Sequence, residues 1–130
     1  MRYFIILVGV FILGIVISSC NESPYMQGKY MYDGLCQNCH MADGSGLEQL
    51  IPALSESSLL GSPAMVCIIK NGIQDTITRN GAQLVREMPS YSKLSITEVT
   101  NIINYINYRW DKNFKETTII EVQEALGKCE

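Results

Sequence analysis

Toward the C-terminus, Ile96, Val99, Ile103, Ile106 and Trp110 recur at intervals of three and four, with Ile102 and Tyr105 widening the stripe. A repeat near 3.6 residues predicts an amphipathic helix with one apolar face. Ser95 and Glu98 open it as a capping box, S-x-x-E, each side chain satisfying a backbone N–H of the other. The aromatic residues of the stripe read as ordinary core. Upstream, Ser62-Pro63 starts a second helix, "PAMVCIIK", which Asn71-Gly72 stops. Ser23-Pro24 starts an earlier one, with proline at an early helical position, and it runs into the segment around Cys36. "ADGSG" after it is loop. In "DTITRNGAQLV", Asn80-Gly81 lies between short extended segments and predicts a small hairpin or turn. A last helix spans roughly Thr118 to Leu126 and ends at Gly127. It carries Ile119, Val122 and Leu126, so it docks on the body rather than floats.

With 130 residues and 47% hydrophobic content, the chain is one small domain with a single modest core. A formal net charge of −3, with no basic run able to neutralise a series of phosphates, argues against nucleic acid as a partner. The start of the chain differs from the rest. In "MRYFIILVGVFILGIVISSC", Arg2 precedes an apolar run from Tyr3 to Ile17, followed by small residues. That is the layout of an export signal, and its apolar part is shorter than the roughly 20 residues that span a bilayer. Its end, Ile17-Ser18-Ser19-Cys20, resembles the bacterial lipobox, which implies acylation at Cys20. An ordinary signal peptide or an uncleaved anchor would equally export the domain. The expected division is a lipoprotein-type signal over 1–19, a lipidated tether over 20–24, and a folded domain with a helical tail over 25–130.

The densest chemistry lies in "LCQNCHMADGSG", where Cys36, Cys39 and His40 place two of five cysteines beside the chain's one histidine. A thioredoxin-like redox pair calls for a βαβ pattern around C-x-x-C, and none is present. A tetrahedral zinc site calls for a second ligand pair, and Cys67 and Cys129 are far apart in sequence. C-x-x-C-H is the signature of c-type haem attachment. Two cysteines three apart on a helical end share a face, where both sulfurs reach the vinyl groups of one porphyrin, and the adjacent histidine supplies the proximal ligand. The second axial atom cannot be histidine, since His40 is alone. Of six methionines, Met1 leaves with the signal, Met41 follows His40 directly, and Met26 and Met31 precede the motif on one predicted helix. Met65 and Met88 remain. Met65 sits in an apolar run that suits core, whereas Met88 precedes Pro89, which stiffens the backbone of a loop that must hold a ligand still. Met88 is the expected distal ligand.

These residues resemble a small bacterial monohaem cytochrome c with histidine–methionine ligation, over about Tyr25 to Leu126. "GKYMYDGLCQNCH" is similar to that family's opening helix, in which a glycine and an aromatic, here Gly28 and Tyr32, pack against the last helix. "REMP" and "LSITEVTNIINYI" resemble its distal loop and closing helix. Pro52 in "LIPAL" resembles the proline whose carbonyl accepts a hydrogen bond from the proximal imidazole. The resemblance implies an all-α cytochrome c fold, three to five short helices wrapped around one haem c attached through Cys36 and Cys39.

After lipid and haem take three cysteines, Cys67 and Cys129 remain in an oxidising compartment, open either to a disulfide or to two unpaired thiols. A six-coordinate iron has no vacant position for substrate, so the expected function is one-electron transfer with respiratory redox proteins rather than enzymatic turnover. The domain would sit at the membrane on the periplasmic or extracytoplasmic side. Two alternatives stay open: a cytochrome c subunit of a larger respiratory oxidoreductase, and a haem-based gas sensor or enzyme with a labile Met88. Lys70, Arg79 and Arg86 suggest a faint basic rim near the methionine.

Overall fold

A computed structural model describes residues 24–47, 50–79 and 81–129, with the backbone alone for Arg79 and Ala82. The expected signal, Cys20 and the tether as far as Ser23 lie outside the described residues. The helices are α1 (Met26–Leu35), α2 (Gln37–His40), α3 (Ala64–Asn71), α4 (Ile96–Trp110) and α5 (Ile119–Leu126), with a 3-10 turn at Leu54–Glu56.

The apolar stripe becomes the buried face of α4, from which Val99, Ile102, Ile103, Tyr105 and Ile106 enter the core. Its capping box forms in both directions: Glu98 N donates to Ser95 Oγ at 3.3 Å, and Ser95 N donates to the Glu98 carboxylate at 2.7 Å. A second box, Thr118 with Glu121, starts α5 in the same way. Each cap stabilises its helix by about 1 kcal/mol. α1 crosses α4 at Gly28, where an added Cβ would stand 2.0 Å from the Asn101 carbonyl oxygen and 2.7 Å from Tyr105 Cβ. Only glycine permits that approach. One turn later, fully buried Tyr32 packs on Tyr105 and Trp110, with ring centroids 5.4 and 5.3 Å away. Met65, Val66 and Ile69 of α3 and Val122 and Ala125 of α5 complete the core.

Two asparagines of α4 are also buried. The Asn104 carboxamide donates to Thr117 O at 2.9 Å and accepts from Thr117 N at 2.8 Å, and Asn107 Oδ1 accepts from Gly61 N at 3.1 Å. They satisfy loop backbone that would otherwise be buried without partners.

The expectation of an all-α fold is corrected. Between α3 and α4 the chain forms an antiparallel two-stranded sheet, β1 (Ile73–Arg79) with β2 (Ala82–Met88), in register from Ile73 opposite Met88 to Arg79 opposite Ala82. The fold is therefore mixed, five helices and one hairpin among the described residues. Thr76, Ile77 and Thr78 favour extended backbone. The register ends with Arg79 opposite Ala82, and Gly81, just before β2, takes φ +79°, a conformation that suits the tight turns of hairpins.

Cys67 of α3 and Cys129 beyond α5 form a disulfide, with Cα atoms 5.4 Å apart and 62 positions between them in sequence. It ties the C-terminal helix to the body. Closing a loop of that length is expected to contribute about 4 kcal/mol in the chain-entropy model. Cys129→Ser should lower the urea midpoint accordingly, and an unchanged midpoint would show that α5 is held without the bond. Gly28→Ala should destabilise by about 1–3 kcal/mol through overpacking at the α1–α4 crossing, read in the same titration.

Candidate functional site

Cys36 is the hinge between two helices: it caps α1 at its C-terminal end and α2 at its N-terminal end. The single turn of α2 is closed by Cys39 N and His40 N, which donate to Cys36 O at 3.1 and 2.9 Å. Both cysteines are free thiols, Cys36 half-buried and Cys39 exposed. Together with His40 they form part of the wall of an apolar cavity of about 390 Å³, which Pro52, Met65 and Met88 also line. That volume lies in the range of small-molecule and cofactor sites.

Burial sets the titration of the wall. Desolvation, with a smaller contribution from Cys39, pushes the Cys36 thiol up to about 11. Desolvation lowers the pKa of His40, so its imidazole is neutral at pH 7, with a lone pair free for a metal. His40 Nδ1 is buried without a hydrogen-bond partner. Pro52 reaches the cavity, as expected, but its carbonyl does not accept from that nitrogen. Tyr32, whose phenol burial raises well above its usual pKa, stays protonated and donates to Met41 O at 2.6 Å.

Met88 arrives by a separate route: it is the last residue of β2 rather than a loop residue, and the loop that follows it is fastened to two helices. Tyr91 N donates to Ile69 O at 3.0 Å, Ser90 Oγ to Lys70 O at 2.7 Å, and Tyr91 Oη to Leu35 O at 2.6 Å. Gly72, at φ +75°, lets the end of α3 approach so closely that a Cβ would stand 2.6 Å from Met88 O. Lys70 donates to Ser92 O and Leu94 O at 2.5 and 2.6 Å, and Arg86 pairs with Asp75. Two of the three expected basic-rim residues are therefore engaged within the fold, and the side chain of the third, Arg79, lies outside the described residues. The role of Tyr91 escaped the sequence; its signal was an aromatic three residues after the methionine.

The structure thus brings Cys36, Cys39, His40, Pro52 and Met88 to one cavity. Met65, the other candidate thioether, lines it too, whereas Cys67 and Cys129 serve the disulfide. These groups fit a haem: two free thiols, a half-buried neutral imidazole whose buried Nδ1 has no partner, thioethers and apolar walls. Among the described residues, no three His, Cys, Asp or Glu side chains are grouped to hold a metal ion on their own. A haem iron needs no such group, since the macrocycle supplies its equatorial nitrogens and the protein only the axial atoms.

Over residues 23–106, well over half of its length, the sequence matches the family of cytochrome c oxidase, cbb3-type, subunit III. The chain belongs to this family. Among curated proteins, none matches it. Membership makes the protein a c-type cytochrome, a haem-iron protein of electron transport, and implies covalently bound haem c. The matched span of this cytochrome holds α1 to α3, the hairpin and most of α4; α5 and Cys129 lie beyond it.

The raised thiol pKa gives a direct check on the cavity wall. In chain produced where haem is not attached, about one Cys36 in a thousand is thiolate at pH 8, and the thiolate is the reactive form. Its alkylation by iodoacetamide should keep accelerating up to pH about 11. A rate that levels off near pH 9 would show Cys36 to be solvated rather than half-buried.

Proposed function

We propose that the protein is a membrane-tethered one-electron carrier on the extracytoplasmic side of a bacterial membrane. It holds one haem through thioether bonds from Cys36 and Cys39, with His40 and Met88 as axial ligands. The observation that carries this reading is the convergence of two unpaired thiols, the one histidine and Met88 on a single apolar cavity.

Bound there, haem supplies a one-electron couple at its iron. The chain's residues suit that couple in separate ways. His40 is kept neutral by burial and presents nitrogen without first losing a proton. Met88 is a neutral thioether at the end of β2, next to a loop pinned to α1 and α3, so neither axial group needs to move or titrate when an electron arrives. Apolar walls disfavour net positive charge and so favour the reduced state. Pro52 at the cavity is the acceptor expected for His40 Nδ1–H, a bond that would fix the ring and raise its basicity. Supported by the lipobox-like Ser18-Ser19-Cys20, acylation at Cys20 would hold the domain at the membrane on a short tether, since each buried methylene contributes about 0.8 kcal/mol and several chains anchor stably. Respiratory redox proteins are the partners. A second reading, a cytochrome subunit built into a larger oxidase, is favoured by the family match itself.

Carbon monoxide tests the axial assignment. The reduced wild-type protein should show no spectral response at neutral pH. Met88→Ala should bind carbon monoxide readily, whereas Met65→Ala should behave as wild type. A responsive wild type would turn the reading toward a sensor or enzyme with labile Met88, and response in Met65→Ala alone would transfer the ligand role to Met65.

A further inference from the structure

Met41, directly after His40, is the one non-glycine residue at positive φ among the described residues, at φ 61° and ψ 161°. That region crowds any Cβ against its own backbone and is essentially glycine's. The surrounding fold holds it there. Tyr32 Oη donates to Met41 O at 2.6 Å, and Gly44 N donates to the same oxygen at 3.2 Å. Two residues on, Trp110 Nε1 donates to Asp43 O at 3.0 Å. Gly44 then passes so close beneath the indole that a Cβ would stand 2.5 Å from the ring. Tyr32 itself is completely buried against Tyr105 and Trp110. A phenylalanine would fill the same space, so packing does not explain the hydroxyl. Its acceptor, the Met41 carbonyl, does.

We propose that the Tyr32–Met41 hydrogen bond is a clamp that positions His40, holding the disfavoured backbone after the histidine so that the imidazole meets the cavity in one orientation. The proposal rests on His40 as an axial ligand. Tyr32 acts through Met41 and is a positioning residue. Without the hydroxyl, Met41 relaxes toward an allowed conformation and carries the adjacent histidine with it. A glycine at that position has no Cβ strain to release.

The test uses haem-loaded protein as wild type, Tyr32→Phe, Met41→Gly and the double variant. Three readouts are taken: urea stability, reduction potential, and the paramagnetic-resonance g-values of the oxidised iron, which follow the orientation of its axial imidazole. Tyr32→Phe should lower the folding equilibrium constant roughly 5- to 30-fold and shift both the g-values and the potential. Adding Met41→Gly should return both toward wild type. A Tyr32→Phe protein that is less stable but keeps wild-type g-values and potential would reduce the bond to a structural role and overturn the proposal. A shift that persists undiminished in the double variant overturns it too. If Tyr32→Phe alone does not fold, the double variant should fold, and its failure to do so counts against the clamp. Wild-type protein without covalent haem would instead sink the underlying reading, and the clamp with it.

Discussion

The contact on which the rest of the structure depends is the crossing of α1 over α4 at Gly28. Because that residue has no side chain, the first helix lies directly against the Asn101 carbonyl and Tyr105. The crossing fixes both the position and the rotation of α1. One turn on, the same rotation drives Tyr32 into the core, and one turn further it delivers Cys36 to the cavity wall. The reactive segment therefore inherits its placement from a backbone contact about ten residues upstream. The short helix α2 has too few internal hydrogen bonds to hold itself. The core of α4 and the Tyr32 and Trp110 bonds to the following turn supply the rigidity it lacks.

Met88 solves a different problem. Sequence separates it from His40 by more than a third of the chain, and the hairpin that leads to it makes a poor rigid support, since a lone two-stranded ribbon is marginal in water. The fold compensates at the hairpin's base. Gly72 closes the gap between α3 and the strand end, and Ser90, Tyr91 and Lys70 fasten the loop to α3 and α1. Helix α3 thus contributes Met65 and Ile69 to the cavity, anchors the methionine loop, and carries Cys67 of the disulfide. A disturbance of the C-terminal helix would reach the cavity through it.

Much of this was legible because the signals are local. C-x-x-C-H states its chemistry within five residues, the α4 stripe and its cap are self-contained, and the spare cysteines followed from counting. The all-α expectation failed where a resemblance outweighed local propensity: Thr76-Ile77-Thr78 and the turn at 80–81 signalled strands, and the seven-residue strands formed. What the sequence concealed is non-local. Asn104 and Asn107 are not part of the apolar stripe, yet they are buried, because their partners, Thr117 and Gly61, lie 13 and 46 positions away. Tyr91 reaches Leu35 across 56 positions. Nothing in the order of residues announces that Met41 must adopt a glycine's conformation, because that follows from where Tyr32 and Trp110 stand. Pro52 was placed at the cavity by resemblance, and its carbonyl is not yet joined to His40 in this structure.

The proposed function rests on covalent attachment of haem to Cys36 and Cys39. It is tested most directly by precipitating the protein from the membrane fraction of cells able to attach haem, extracting with acidified organic solvent, and digesting the residue. Haem should stay with the polypeptide and be recovered on the single peptide containing Cys36, Cys39 and His40. Haem released into the solvent, or colourless protein whose Cys36 and Cys39 both accept an alkylating reagent, would contradict it.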